Sequence, residues 1–237
     1  MNRILSVEIV DRYGRTADCA QNSPVSEYGT GDFCSGRRGR SGSSGRVRVT
    51  PEVGEPFTIS ARRAACLGIA EGAELSNECH AEILQMLRAS CMQRCGTLLG
   101  SRDYPVQRLR EKLADAGYPS SIIEECIGKL AGAHYLDDRR YAQTYVRSHI
   151  RDRSLLRIRQ DLAARGIEEA YIEEALSAVG EEADPDEAQL AQIRRLLQKR
   201  RYAPEQADYS QRQKTMAFLR RKGYAPDLIR RAMRDAL

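Results

Sequence analysis

The sequence predicts a mainly α-helical protein: three tandem three-helix repeats forming an elongated helical array, preceded by a small β-containing N-terminal unit. Three observations carry that prediction. The first is composition: of 237 residues, 41% are apolar and 30% charged, with three Phe and no Trp. Stacked helices use such residues more readily than a β-sandwich, which draws on aromatic and β-branched side chains. The second is an internal repeat. The stretches 109–127, 158–176 and 215–233 align on Gly117, Gly166 and Gly223, with Leu113, Leu162 and Leu219 before them and Ile123, Ile172 and Ile229 after them. The third is a longer helical segment ahead of each stretch, at 77–100, 137–152 and 186–202. Each unit is then three helices, too small to bury its apolar stripe alone, so neighbours are expected to stack.

In chain order, residues 1–75 read as the β unit. Strand candidates are Ile4–Val10, Arg46–Thr50 and Pro56–Ser60; in the second, Arg46-Val47-Arg48-Val49 alternates polar and apolar. Pro51–Glu55, with Gly54, is the connecting turn, and a short helix follows near Ala61–Leu67. Residues 29–46 hold six Gly, four Ser and four Arg. So few apolar side chains cannot offset the entropy of ordering, and a flexible insertion is expected there. Residues 76–134 form the first helical repeat. Ser76 caps a helix with apolar positions Leu84, Leu87, Cys91, Cys95 and Leu98, which ends near Gly100, and Pro105 opens the next. The second and third repeats are 135–180 and 184–237. Gly117, Gly166 and Gly223 each fall where a helix ends in a residue of positive φ, a conformation glycine adopts without strain.

Several function classes are disfavoured. No apolar run approaches the ~20 residues that span a bilayer. The start, MNRILSVEIVDRYG, turns polar too early for a secretory signal, so a cytoplasmic location is expected. Seven cysteines, odd in number and scattered, read as reduced thiols. Cys91 and Cys95 lie on an apolar stripe and match no zinc framework, so they read as small buried hydrophobes, and neither metal nor cofactor is expected. There is no G-x₄-GK[ST] loop and no nucleophile–base–orienter set, so no catalytic residue is assigned and neither an enzyme nor a small-molecule substrate is expected.

Charge is the informative property. The net +5 conceals an asymmetry: residues 192–237 carry 13 basic and 4 acidic side chains, a net +9. A basic end of this strength favours a polyanion, against the plain alternative of a solvated helix face. Two clusters stand out. One comprises Arg147, Arg151, Arg153, Arg157 and Arg159, where a long helix meets its successor. The other comprises Arg194, Arg195, Lys199, Arg200, Arg201, Arg220, Arg221, Lys222, Arg230, Arg231 and Arg234. Arginine forks address phosphates and carboxylates alike, so both clusters suit DNA or an acidic protein surface. Asp137-Asp138 resembles a carboxylate pair, but Asp137 at a helix start reads as an N-cap. Tyr141 and Tyr145, four apart, read as packing.

Residues 80–237 resemble the RecX family, bacterial regulators of the RecA recombinase. The residues that carry the resemblance are Arg102-Asp103-Tyr104 with Leu109-Arg110-Glu111-Lys112-Leu113, and the run Tyr135-Leu136-Asp137-Asp138-Arg139-Arg140-Tyr141-Ala142, similar to the family's "YLDD-x-RYA". Arg157-Ile158-Arg159-Gln160-Asp161-Leu162 and Phe218-Leu219-Arg220-Arg221-Lys222-Gly223-Tyr224 are similar to its second and third repeats. His134 stands where the family usually has glycine, and Ser154-Leu155 replaces a common Gly-Pro. The run Gly68–Leu75 looks like the small N-terminal β unit of some members. The resemblance implies three tandem three-helix repeats. It also implies binding to RecA and to RecA nucleoprotein filaments, with modulation of filament growth, ATP hydrolysis and strand exchange. Single- or double-stranded DNA is a further expected partner. The rival reading is a stand-alone non-specific DNA-binding protein using the basic C-terminal repeat.

Overall fold

The computed structural model describes residues 2–10, 45–182 and 184–235. The expected Gly/Ser/Arg insertion at 29–46 lies outside them except for its last two residues. The chain divides into two compact units, residues 1–97 with 110–129, and residues 98–109 with 130–237.

The first unit opens with an antiparallel sheet of β1 (Asn2–Val10), β2 (Arg46–Pro51), β3 (Phe57–Ser60) and β4 (Glu74–Leu75), in the order β3-β2-β1-β4. Opposed pairs Val47–Ile59 and Val49–Phe57 put four buried side chains on one face of β2 and β3. That one-sided burial is what alternation along 46–49 encodes. The sequence reading contained no β4, because two residues are too short to show alternation. Ser60 caps α1 (Ala61–Cys66) by accepting from the Arg63 N–H at 3.3 Å. Ser76 does the same for α2 (Asn77–Leu99), accepting from the Cys79 N–H at 3.1 Å.

The buried row of α2 is Ile83, Leu87, Cys91 and Cys95. Leu84 and Leu98, expected on that stripe, are only half-buried. A strict four-residue row takes Ile83 inward, and Leu84, about 100° round the helix, falls on its flank. The row packs with Cys126 of α4 (Ser120–Gly132). A hydrogen bond to Cys95, then burial, pushes the Cys91 thiol up, and burial does the same for Cys126. Both are thus held as neutral thiols. Outside this core, Arg88–Glu125 at 2.8 Å and Arg110–Glu124 at 2.6 Å are exposed ion pairs, Arg110 lying on α3 (Val106–Asp115).

The second unit holds two helical triplets. Helices α5 (Asp138–His149), α6 (Leu155–Ala163) and α7 (Glu169–Glu182) enclose Ala142, Val146, Ile158, Leu162, Ile167 and Ile172. Helices α8 (Pro185–Lys199), α9 (Tyr209–Arg221) and α10 (Pro226–Arg234) enclose Leu190, Ile193, Leu197, Leu219, Ile229 and Ala232. The repeated Leu and Ile positions are thus the centres of successive cores, each removed from water by its own three helices.

Gly117, Gly166 and Gly223 have φ of 81°, 80° and 88°. In each case the next residue's N–H bonds back to the repeated leucine carbonyl, at 3.3, 3.2 and 3.3 Å, as in a Schellman helix end. The same turn recurs at His134 and Arg201, with φ of 58° and 51° and no glycine to ease it. The glycines also need to be small for another reason. A Cβ on Gly117 would collide with Thr58, one on Gly166 would come within 2.5 Å of Gln107, and one on Gly223 within 2.7 Å of Ser154 Oγ. Each repeat's helix end is seated against residues that precede the repeat. Carbonyls at these helix ends are met by preceding residues too: Arg46 donates to the Ala116 carbonyl, Arg108 to that of Ala164 at 2.8 Å, and Ser154 to that of Lys222 at 2.6 Å.

Candidate functional site

Ser154 sits at the centre of the candidate site. Its Oγ accepts from the Arg157 N–H, capping α6, and donates to the Lys222 carbonyl at the end of α9. That pair of bonds brings the α5–α6 turn against the α9–α10 turn. Below them runs one face of α8, on which Gln192, Arg195, Leu196 and Lys199 follow three- and four-residue spacing. Between these elements lies a cleft of about 390 Å³.

Seven cationic side chains line it: Arg151, Arg153 and Arg157 from the second repeat, with Arg195, Lys199, Arg221 and Lys222 from the third. Asp152 is the one carboxylate among the lining residues. Asp161, behind them, pairs with Arg153 and with Arg157 at 3.2 Å. Arg153 also donates to the Tyr145 hydroxyl at 2.8 Å. Arg151, Arg195, Lys199 and Arg221 have no carboxylate partner among the described residues. A concave surface with this surplus of donors attracts an anion, and its fork-shaped groups fit phosphate or carboxylate oxygens.

The floor is a polar network. Tyr224 donates to Gln192 Oε1 at 2.9 Å, and the Gln192 amide donates to the Ile150 carbonyl at the end of α5. Burial pushes the Tyr224 hydroxyl up, so it stays a neutral donor. This network joins the second repeat to the third and holds the cationic walls at a set separation.

The structure therefore takes parts of both predicted clusters and makes one site. The remainder lie elsewhere. Arg159 pairs with Glu169 at 3.3 Å and with Glu173; Arg194 pairs with Glu187 at 2.9 Å; Arg230 pairs with Asp227. Arg200 lies 3.9 Å over the Phe218 ring, with Lys222 at 5.3 Å from the same ring. Arg147, Arg201, Arg220, Arg231 and Arg234 line no part of the cleft. Gln192 is not singled out in the sequence, where Ser154 is marked only as a departure from the family's Gly-Pro and Tyr224 only as part of the third-repeat run. A glutamine within the apolar face of α8 is the signal that marks such a network.

Among the motif residues, Leu136 is buried and Asp137 caps α5 through the Arg140 N–H at 2.9 Å. Asp138 accepts from the Val106 N–H at 2.9 Å, capping α3 across 32 residues. Tyr141 stacks on Tyr145 with ring centres 6.1 Å apart. Asp137 and Asp138 are thus two caps on two helices. Among the described residues no group of three His, Cys, Asp or Glu side chains is placed to hold a metal ion, and no helix is long and apolar enough to cross a membrane.

Comparison with known proteins gives a consistent result. Three family models match, describing the first, second and third three-helix domains of RecX, over residues 91–130, 137–176 and 186–233. A protein named Regulatory protein RecX from Trichlorobacter lovleyi is 34% identical over 147 residues, covering 60% of this chain and 92% of its own. A namesake from Vibrio parahaemolyticus is 34% identical over 137 residues, 57% of this chain and 84% of its own. Two crystal structures share the fold. One, of regulatory protein RecX, has a TM-score of 0.55 at 23% identity and covers 96% of this chain and 97% of its own. The other, RecX from Lactobacillus salivarius, has a TM-score of 0.55 at 22% identity over 64% of this chain and 97% of its own. Three domain models in order over more than half the sequence, on a backbone that repeats the same three-helix turn, place this chain in the RecX family of regulatory proteins.

Proposed function

We propose that this protein is a non-enzymatic, cytoplasmic regulator of the RecA recombinase. It binds RecA and RecA–DNA filaments and restrains filament growth, ATP hydrolysis and strand exchange. The observation that supports this reading most directly is the seven-cation cleft joining the second and third repeats. A nucleoprotein filament offers such a cleft both phosphates and acidic protein surface. Tandem units engaging successive protomers gain affinity from repeated weak contacts, since each further contact is intramolecular. A bound array obstructs subunit addition or fixes protomers relative to one another.

The test is the rate of ATP hydrolysis by RecA on single-stranded DNA, titrated with this protein. A fall at substoichiometric amounts supports blocked filament growth. Unchanged turnover and filament length at saturation refute the proposal. The same cleft also suits naked DNA, which keeps a stand-alone DNA binder as the second reading. That reading expects unchanged ATP turnover together with DNA affinity that falls steeply with salt in the absence of RecA, because neutralised phosphates release counterions.

A further inference from the structure

A second hollow, of about 480 Å³, lies within the first unit among β2, β3, α1, α2 and the turn before α4. Three guanidinium groups line it, from Arg46, Arg63 and Arg94, and no carboxylate does. Arg88 and Arg110 of the same unit do have counter-charges, in Glu125 and Glu124, whereas Arg3, Arg48 and Arg62 have none among the described residues and stand outside the hollow. Arg63 and Arg94 have no carboxylate partner among the described residues. Arg46 is held in place by donating to the Ala116 carbonyl. Facing these cations is a hydroxyl pair, Ser90 Oγ and Tyr118 Oη, 2.9 Å apart. The floor is apolar, made by Ile59, Met86 and Leu87.

Three like charges converging without a counter-charge repel one another, and an anion between them relieves that repulsion while accepting their forked donors. Hydroxyls supply neutral donors at the edge, and an apolar floor receives a flat ring. The volume falls within the roughly 300–1,000 Å³ of small-ligand sites. We infer that this hollow binds a nucleotide phosphate, gripped by Arg63 and Arg94, with the base laid towards Met86 and Leu87. It is separate from the cleft of the second and third repeats and does not rest on the RecA reading. A free mononucleotide and a nucleotide within a single-stranded chain present the same phosphate chemistry.

The test uses the full chain and reads the site directly, through the Nε–Hε signals of Arg63 and Arg94 and the backbone amide signals of Ser90 and Tyr118 in NMR spectra. The titrants are deoxyadenosine monophosphate and, separately, a short oligodeoxythymidylate lacking terminal phosphates. Movement of these signals with both titrants supports a site open to free nucleotides. Movement with the oligonucleotide alone supports a site for the chain backbone. In the Arg63→Gln/Arg94→Gln variant the Ser90 and Tyr118 titrations should weaken about tenfold, as expected for two lost charge-assisted forks. Arg62→Gln, on the same short helix but outside the hollow, should leave them unchanged. Silence of the signals with both titrants, or an unweakened titration in the double variant, overturns the proposal.

Discussion

Ser154 and Lys222, 68 residues apart, are joined by a 2.6 Å hydrogen bond from the serine hydroxyl to the lysine carbonyl. The same hydroxyl caps α6, so one oxygen both starts a helix in the second repeat and satisfies the end of a helix in the third. Ser154→Ala removes both bonds and leaves the Lys222 carbonyl without its serine donor. The expected loss is about 2 kcal/mol, a cap plus a hydrogen bond, read as a shift in urea midpoint with unchanged m.

His134 occupies a left-handed helix end at φ 58°, where the family usually has glycine. His134→Gly releases that strain. A gain of about 1 kcal/mol in unfolding free energy is expected, and a loss of stability on this substitution would show that the histidine side chain contributes more than its backbone costs.

Gly166 is constrained twice, by its φ of 80° and by Gln107 against its open face. Gly166→Ala should therefore destabilise by about 2 kcal/mol or more in equilibrium unfolding. The Gly166→Ala/Gln107→Gly pair relieves the collision and not the backbone strain, so it should recover only part of that loss.

Tyr224 is buried, and its hydroxyl is held above the ordinary tyrosine value. The folded chain thus retains a proton that the unfolded chain releases once pH passes about 10, and stability falls with pH from there upward. Tyr224→Phe loses the bond to Gln192 and should cost about 1 kcal/mol at pH 7. It should also flatten the decline above pH ~10, seen by comparing urea midpoints of the two proteins across that range.

Lys222, at the C-terminal cap of α9, lines the cleft, and Lys214, within α9, does not. If the cleft holds phosphates, Lys222→Gln lowers the slope of log affinity against log salt by about 1 for DNA, and Lys214→Gln leaves it near the parent value. Fluorescence anisotropy at several salt concentrations decides this. Equal slopes for the two variants would place the phosphate contacts outside the cleft.

The helical repeats were legible in the sequence because their markers are local. Gly117, Gly166 and Gly223 each sit a fixed step from a leucine and an isoleucine, and helix geometry alone turns that spacing into a core and a cap. The cleft was legible only in part. Its cations come from Arg151–Arg157, Arg195–Lys199 and Arg221–Lys222, and only folding brings these segments together. A count along the chain weights Arg157 and Arg159 alike. In the structure Arg159 is drawn off by Glu169 and Glu173, whereas Arg157 faces the cleft. Asp138 was hidden for the same reason: it caps α3, a helix 32 residues earlier, and no adjacent sequence signals that.

Gly117 and Gly166 are 49 residues apart, and Gly166 and Gly223 are 57. The longer interval comes from a 15-residue α8 in place of the 12-residue α5, the connector 200–208 in place of 150–154, and a 13-residue α9 in place of the nine-residue α6, partly offset by a shorter stretch ahead of α8, 183–184 where 133–137 precede α5. None of that added length enters the contact between a glycine turn and the residues it rests on. The second and third repeats, which share one compact unit, are thus aligned where the Gly223 turn meets Ser154, and the spans on either side of that joint lengthen without entering it. The extra residues of the third repeat are absorbed as local bulk, outside the joint that seats its glycine turn on the second.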